Sequence, residues 1–144
     1  MKMIILQGPP AAGKTTWSHN YMDSLSEEER SRTTLICYDE LKNKNVWAVR
    51  RETTKHLEHT LIKEALEKGN DVIVDAVNLY PRTLEDLLDI AKSYDAETEV
   101  VKLYVPFEEA VQRDAQRRRP LGPRVIKHFY EKYFKEQFEK EGNH

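Results

Sequence analysis

The run Gly8-Pro9-Pro10-Ala11-Ala12-Gly13-Lys14-Thr15 fits the spacing G-x-x-x-x-G-K-[ST], whose residue types suit the cradling of a polyphosphate. Backbone N–H groups of such a loop wrap a β-phosphate, Lys14 reaches the β- and γ-phosphates, and the Thr15 hydroxyl ligates Mg²⁺, with Thr16 completing the contact set. The apolar stretch Met3-Ile4-Ile5-Leu6 stands directly before the loop and a helix is expected directly after it. That order of strand, loop and helix is the context the motif requires, and the helix adds its positive dipole end. A strand-to-helix turn that happens to carry glycine and lysine would match less of the pattern. The expected ligand is ATP, or another nucleoside triphosphate, together with Mg²⁺.

Two carboxylates stand at the ends of further apolar runs. Asp39 follows Thr33 to Cys37 in the segment Cys37-Tyr38-Asp39-Glu40, and Asp75 closes Val72-Ile73-Val74-Asp75, which continues into Ala76-Val77-Asn78. Ligands of open α/β sheets bind at the carboxyl ends of strands, so both residues fall at the rim beside the phosphate loop. Asp39 suits acceptance of a proton from an attacking hydroxyl, or capping of a helix that starts near Glu40. Asp75 suits contact with Mg²⁺ through water, or capping of the next turn.

The third group is Arg113-Asp114-Ala115-Gln116-Arg117-Arg118-Arg119. On a helix, Arg113 and Arg117 lie four apart along one face, a spacing at which two guanidinium forks can grip one polyphosphate. Phosphoryl transfer needs positive charge at the transferring group, which a lid bearing arginines supplies. A solvated basic helix end would have the same composition.

These groups have to be held by alternating short apolar and longer amphipathic segments, the pattern of a parallel sheet with crossover helices. Strands are expected over Lys2 to Leu6, Thr33 to Cys37, Val72 to Asp75 and Glu99 to Val105. Helices are expected over Gly13 to about Leu25, about Asn45 to Lys68, Pro81 to Ser93, Pro106 to about Arg118 and Pro123 to about Glu139. Pro81, Pro106 and Pro123 each suit a first helical position, Gly69 a left-handed helix stop, and Gly122 a break between the last two helices. The expected architecture is one α/β domain over residues 1–144 with the P-loop NTPase fold: a short four-stranded parallel sheet flanked by helices, with a C-terminal helical lid.

Composition agrees with a single charged globular domain. The chain has 144 residues, of which 39% are hydrophobic and 33% charged, and a net charge of −2, which argues against indiscriminate coating of nucleic acid. A single cysteine, Cys37, excludes an intrachain disulfide, and neither a signal peptide nor a membrane span is apparent, so a cytoplasmic protein is expected. Local charge is different. From Arg113 to Lys135, eight basic residues face two acidic ones, and Lys42, Lys44, Arg50 and Arg51 form a second basic stretch. Both would draw the phosphates of a nucleic-acid end toward the rim. Trp47, Tyr80 and Tyr38 suit stacking on a terminal base, although a helix more often buries such a tryptophan. His56 and His59, one turn apart, read as a solvent-facing pair more readily than as metal ligands.

Taken in order, these residues resemble the kinase domain of phage-type polynucleotide 5′-kinase, a P-loop phosphotransferase. The resemblance runs over nearly the whole chain. It rests on Gly8 to Thr15 followed by Trp17, Tyr38-Asp39-Glu40, Asp75-x-x-Asn78-Leu79-x-Pro81, Tyr104-Val105-Pro106-Phe107, and Arg113-x-x-x-Arg117 leading into Val125-Ile126 and Tyr130. It implies that Asp39 is the general base for a 5′-hydroxyl of DNA or RNA, that Lys14 and Thr15 hold ATP·Mg²⁺, and that Arg113 and Arg117 close over the donor phosphates. Lys42, Asp75 and Asn78 are implied on the acceptor side, with Asp75 serving either there or in the water shell of the metal. Three positions depart from the family pattern: Lys42 where an arginine grips the acceptor's 3′-phosphate, Arg118 where a glycine is common, and Ala11 where a glycine is frequent. The match is to the kinase half alone, so end-healing of a 3′-phosphate would require another protein. Two other functions fit the same residues: a small-molecule kinase acting on a nucleoside, sugar, antibiotic or nucleotide-sugar, and a nucleotide-binding regulatory protein without transferase activity.

Overall fold

The computed structural model describes residues 1–44 and 51–142. The expected helix start near Asn45, together with Trp47 and Arg50, lies outside them, as do the side chains of Lys44 and Arg51.

The chain runs β1 (Lys2–Gln7), α1 (Lys14–Ser24), α2 (Glu27–Ser31), β2 (Thr33–Cys37), α3 (Tyr38–Lys44), α4 (Arg51–Glu67) and β3 (Asp71–Asp75). It continues through α5 (Pro81–Ser93), β4 (Glu97–Lys102), α6 (Phe107–Ala115), α7 (Pro123–Tyr133) and α8 (Lys135–Lys140). The strands form one four-stranded sheet in the order β2-β3-β1-β4, parallel throughout. Beyond β1 the chain winds out to β2, returns through β3 and crosses over to β4. The reversal therefore falls at β1, and the crevice outside its carboxyl end is where such a sheet accepts ligands.

Alternation along the strands divides the core. Met3, Ile5, Val72 and Val74 pack with Ile62 and Leu66 of α4 and Leu87 and Ile90 of α5. Ile4, Leu6 and Ile73 turn to the other face, against Trp17, Tyr21 and Met22 of α1. Because both faces of β1 and β3 are covered, their sequences read as unbroken apolar runs. A separate cluster of Ala110, Ile126, Tyr130 and Phe138, with Phe107 and Phe134 against it, holds α6, α7 and α8 together beside the carboxyl ends of the strands. Among the described residues no helix is long and apolar enough to cross a membrane.

Several boundaries differ from those expected. The edge strand β4 begins at Glu97 rather than Glu99 and ends at Lys102, because its ladder follows β1 from Lys2 to Gln7. Pro106 is the N-cap of α6 rather than its first residue, and the C-terminal helix breaks at Phe134, which turns its ring into the aromatic cluster. α2 was not expected, and α3, for which capping by Asp39 implied a start near Glu40, begins two residues earlier at Tyr38. α2 opens on a capping box between Ser26 and Glu29, and α3 starts immediately at the end of β2. Pro81, Pro123, Gly69 and Gly122 stand at helix ends as expected, although Gly122 (φ +94°) opens α7 as its N-cap rather than closing α6.

Candidate active site

The loop between β1 and α1 is shaped by backbone constraints at its two glycines. A Cβ on Gly8 would stand 2.5 Å from the carbonyl oxygen of Leu103, so only glycine lets β1 pass this close to the end of β4. Gly13 has φ +92°, the left-handed region that turns the chain into α1. Ala11 adopts φ +64°, which accounts for a glycine being frequent there in the family it resembles and which costs an L-residue about 1 kcal/mol. The ammonium of Lys14 is folded back on the loop, donating to the carbonyl oxygens of Pro9 (2.8 Å) and Gly8 (3.2 Å). Burial pushes its pKa down to about 8, against the opposing pull of Asp75 and Asp39.

Asp75, 4% exposed at the end of β3, accepts a hydrogen bond from the Thr15 hydroxyl at 2.9 Å. Burial pushes its carboxyl up, while the Thr15 hydroxyl and Lys14 draw it back. A hydroxyl and a carboxylate at this distance form a hard-oxygen donor pair suited to Mg²⁺, so Thr15 and Asp75 fit the metal of an ATP·Mg²⁺ complex. Cys37 lies beside this carboxylate; burial first, and then Asp75, raise its thiol to about 11, so it stays protonated. Among the described residues no group of His, Cys, Asp or Glu is placed to hold a metal by itself. His56 is exposed, but His59 is half-buried, with Nε2 facing Glu58 and not solvent.

Asp39 is the second residue of α3, past the capping position and inside the first turn, where the helix dipole favours a carboxylate. Its side chain is exposed and faces the lid, with Oδ2 3.5 Å from Arg117 Nη2. Lys42, one turn further along α3, lines the same cleft. Asn78 is 2% exposed at φ +50°, and its Nδ2 donates to the carbonyl oxygens of Leu6 (2.7 Å) and Val74 (3.4 Å). The side chain thereby ties β1 to β3 under the cleft floor.

Arg113 and Arg117 do not lie along one helix face. α6 ends at Ala115, so Arg117 sits in the following turn. Arg113 pairs with Glu109 at 2.6 Å and has a guanidinium nitrogen 3.7 Å from where a Gly13 Cβ would be, next to the phosphate loop. A buried carboxylate causes the break. Asp114, 2% exposed, accepts hydrogen bonds from the backbone N–H groups of Leu121 (3.0 Å) and Gly122 (2.9 Å), folding the chain back on itself. The same carboxylate lies 3.7 Å from Arg117 Nη1.

Together these elements enclose a cleft of about 830 Å³ lined by Gly13 to Thr16, Asp39, Lys42, Asp75, Asn78, Arg113 and Arg117. Tyr80, Leu121, Val125 and Phe129 form its apolar wall. Tyr80 packs edge-on against Phe129 and Tyr133, and Tyr38 lies beneath the ammonium of Lys55. Volume and lining suit a nucleotide with an acceptor across from it.

Residues 3–135 match the family model of the AAA domain. The chain is 33% identical over 132 residues to the L-seryl-tRNA(Sec) kinase of Methanococcus maripaludis, a match that covers 91% of this chain and 52% of that one. It thus spans about half the length of the curated relative it matches. Among solved structures, a chain of the Pnkp1/Rnl/Hen1 RNA repair complex superposes with a TM-score of 0.75 at 21% identity, covering 96% of this chain and 45% of that one. A gluconokinase from Sinorhizobium meliloti 1021 superposes with a TM-score of 0.62 at 14% identity, covering 90% and 73%.

Proposed function

The chain belongs to the AAA-domain family, with a P-loop kinase-like fold, and from that premise we propose that it is an ATP-dependent kinase that phosphorylates the 5′-hydroxyl end of DNA or RNA. The observation that carries this most is Asp39 lining the same cleft as the phosphate loop, exposed and 3.5 Å from the lid arginine.

In this mechanism the N–H groups of the loop and Lys14 hold the β- and γ-phosphates, and Arg113 approaches them from the lid beside Gly13. Thr15 and Asp75 would hold Mg²⁺, which when bound would neutralise charge on the donor. Asp39 orients the acceptor hydroxyl and takes its proton as the oxygen–phosphorus bond forms. The bond from the γ-phosphorus to the bridging oxygen breaks and ADP leaves. Arg117, 3.5 Å from Asp39, supplies positive charge to the transferring group.

The cleft carries Lys42 one turn beyond Asp39 on α3, which suits an anionic acceptor. The similarity to a seryl-tRNA kinase favours one further reading, in which the acceptor is a seryl hydroxyl carried on a tRNA. Transfer from γ-labelled ATP to a 5′-hydroxyl oligonucleotide, a seryl-tRNA, a free nucleoside, gluconate and water separates these possibilities. Label on the oligonucleotide alone is the expected result. Label on seryl-tRNA, or on nucleoside or gluconate, with none on the oligonucleotide would overturn the assignment.

A further inference from the structure

The α4 wall of the cleft carries a cation with no part in the mechanism above. Lys55 lines the cleft beside Tyr38, Lys42 and Thr54, its side chain 24% exposed and its ammonium 5.1 Å from the centre of the Tyr38 ring. One turn further on, Glu58 is fully buried, with Oε1 3.5 Å from Lys55 Nζ and 3.9 Å from His59 Nε2. Glu58 Oε2 and His59 Nε2 have no hydrogen-bond partner among the described residues.

A carboxylate taken fully out of water costs several kcal/mol, and an apolar side chain of similar volume would hold α4 against the sheet without that cost. Burial does push the Glu58 carboxyl up, with Lys55 drawing it back. What the arrangement achieves is placement. A lysine ammonium on four flexible carbons ordinarily sweeps a wide arc, whereas here it is held between Glu58 and the face of Tyr38 and left open toward the cleft. Lys14, Arg113 and Arg117 serve the donor phosphates. An acceptor with its hydroxyl at Asp39 therefore meets the α3–α4 side, where, among the described residues, the cations lining the cleft are Lys42 and Lys55.

We propose that Lys55 is a specificity-determining residue that binds the phosphate on the 3′ side of the acceptor's terminal nucleotide, and that Glu58 is its positioning residue. The inference rests on the nucleic-acid acceptor proposed above. A phosphodiester carries one negative charge, which the point charges of Lys42 and Lys55 on the cleft wall suit.

The test compares a nucleoside 3′-monophosphate with the plain nucleoside as acceptor and as calorimetric ligand, in the full chain. Lys55→Met should weaken binding of the phosphorylated acceptor by about 10- to 100-fold and raise its KM to match, with kcat and ATP affinity kept. Lys55→Arg should retain most of the affinity. Glu58→Gln should raise the ratio of the two acceptors' KM values, which a loss of stability alone would not change. If Lys55→Met leaves Glu58 buried alone and the protein unfolds, the double variant Lys55→Met with Glu58→Gln removes both charges and should show the same selective loss. Wild-type KM for the phosphorylated acceptor in either variant overturns the role of Lys55 while leaving the kinase assignment standing. Equal loss with both acceptors makes the pair structural and also overturns it. Wild-type protein that phosphorylates neither oligonucleotide nor nucleoside 3′-monophosphate overturns the nucleic-acid acceptor, and this inference with it.

Discussion

The guanidinium of Arg117 is shared between Asp39, 3.5 Å away on α3, and Asp114, 3.7 Å away on the lid itself. The cation proposed to stabilise the transferring phosphoryl group and the carboxylate proposed to take the acceptor's proton thus touch before any substrate arrives. Arg117→Ala should lower kcat by about 10³-fold or more, within the range of about 10³–10⁵ attributed to arginine fingers. Arg117→Lys should recover only part, because an ammonium cannot contact two carboxylates with a planar fork. Steady-state kinetics decide this, and a wild-type rate in Arg117→Ala would remove Arg117 from the transfer step.

Asp114 should matter more for stability than its place in a run of arginines suggests. Removing its carboxylate leaves the N–H groups of Leu121 and Gly122 without their acceptor, so Asp114→Ala should cost about 2 kcal/mol or more by denaturant unfolding. Asp114→Asn, which keeps one acceptor oxygen, should fall between the two. Unchanged stability in Asp114→Ala would mean that the turn closes without it.

Lys14 links nucleotide binding to pH. Its pKa is about 8 in the folded protein, against 10.5 for a free lysine, because burial disfavours the ammonium. Between those values the unfolded chain binds more protons, so Lys14 favours folding as pH rises through this window, and that contribution is lost as pH falls through about 8. Phosphates reverse the balance by favouring the ammonium, so ATP binding at or above pH 8 should take up a proton. Calorimetry in two buffers of different ionisation enthalpy measures the uptake. Identical heats would contradict the placement of Lys14 at the phosphates.

The Thr15–Asp75 hydrogen bond of 2.9 Å leads to a metal prediction. Thr15→Ala and Asp75→Asn should each raise the Mg²⁺ concentration needed for half-maximal activity by about tenfold or more, since each removes an oxygen or charge suited to the ion. An unchanged Mg²⁺ dependence in both variants would assign the pair to the fold alone.

What was legible in the sequence was what is local. The phosphate loop and the strand-end aspartates are set by contiguous residues, and β2 and α5 begin and end where apolar runs and proline signals put them. α3 starts earlier than capping by Asp39 implied because it follows β2 without an intervening turn, which puts Asp39 inside its first turn and not at its cap. The capping box at Ser26 and Glu29 was visible but sits on a helix too short to show periodicity. Asp114, Lys55 and Glu58 stayed hidden for a different reason. A charged residue among charged neighbours reads as a solvated face, and only packing against distant segments shows that Asp114 and Glu58 are buried. The helical spacing of Arg113 and Arg117 failed on the same point, since the carboxylate that ends α6 lies between them.

The most direct measurement is label transfer from γ-labelled ATP to a 5′-hydroxyl oligonucleotide by wild-type protein and by Asp39→Asn, with ATP binding titrated on the same samples. Asp39→Asn keeps the shape and removes the proton acceptor. Its kcat is expected to fall by about 10²–10⁴ with ATP affinity within a few-fold of wild type. Transfer at the wild-type rate in Asp39→Asn, or loss of ATP binding together with transfer, would contradict Asp39 as the base facing the phosphate loop.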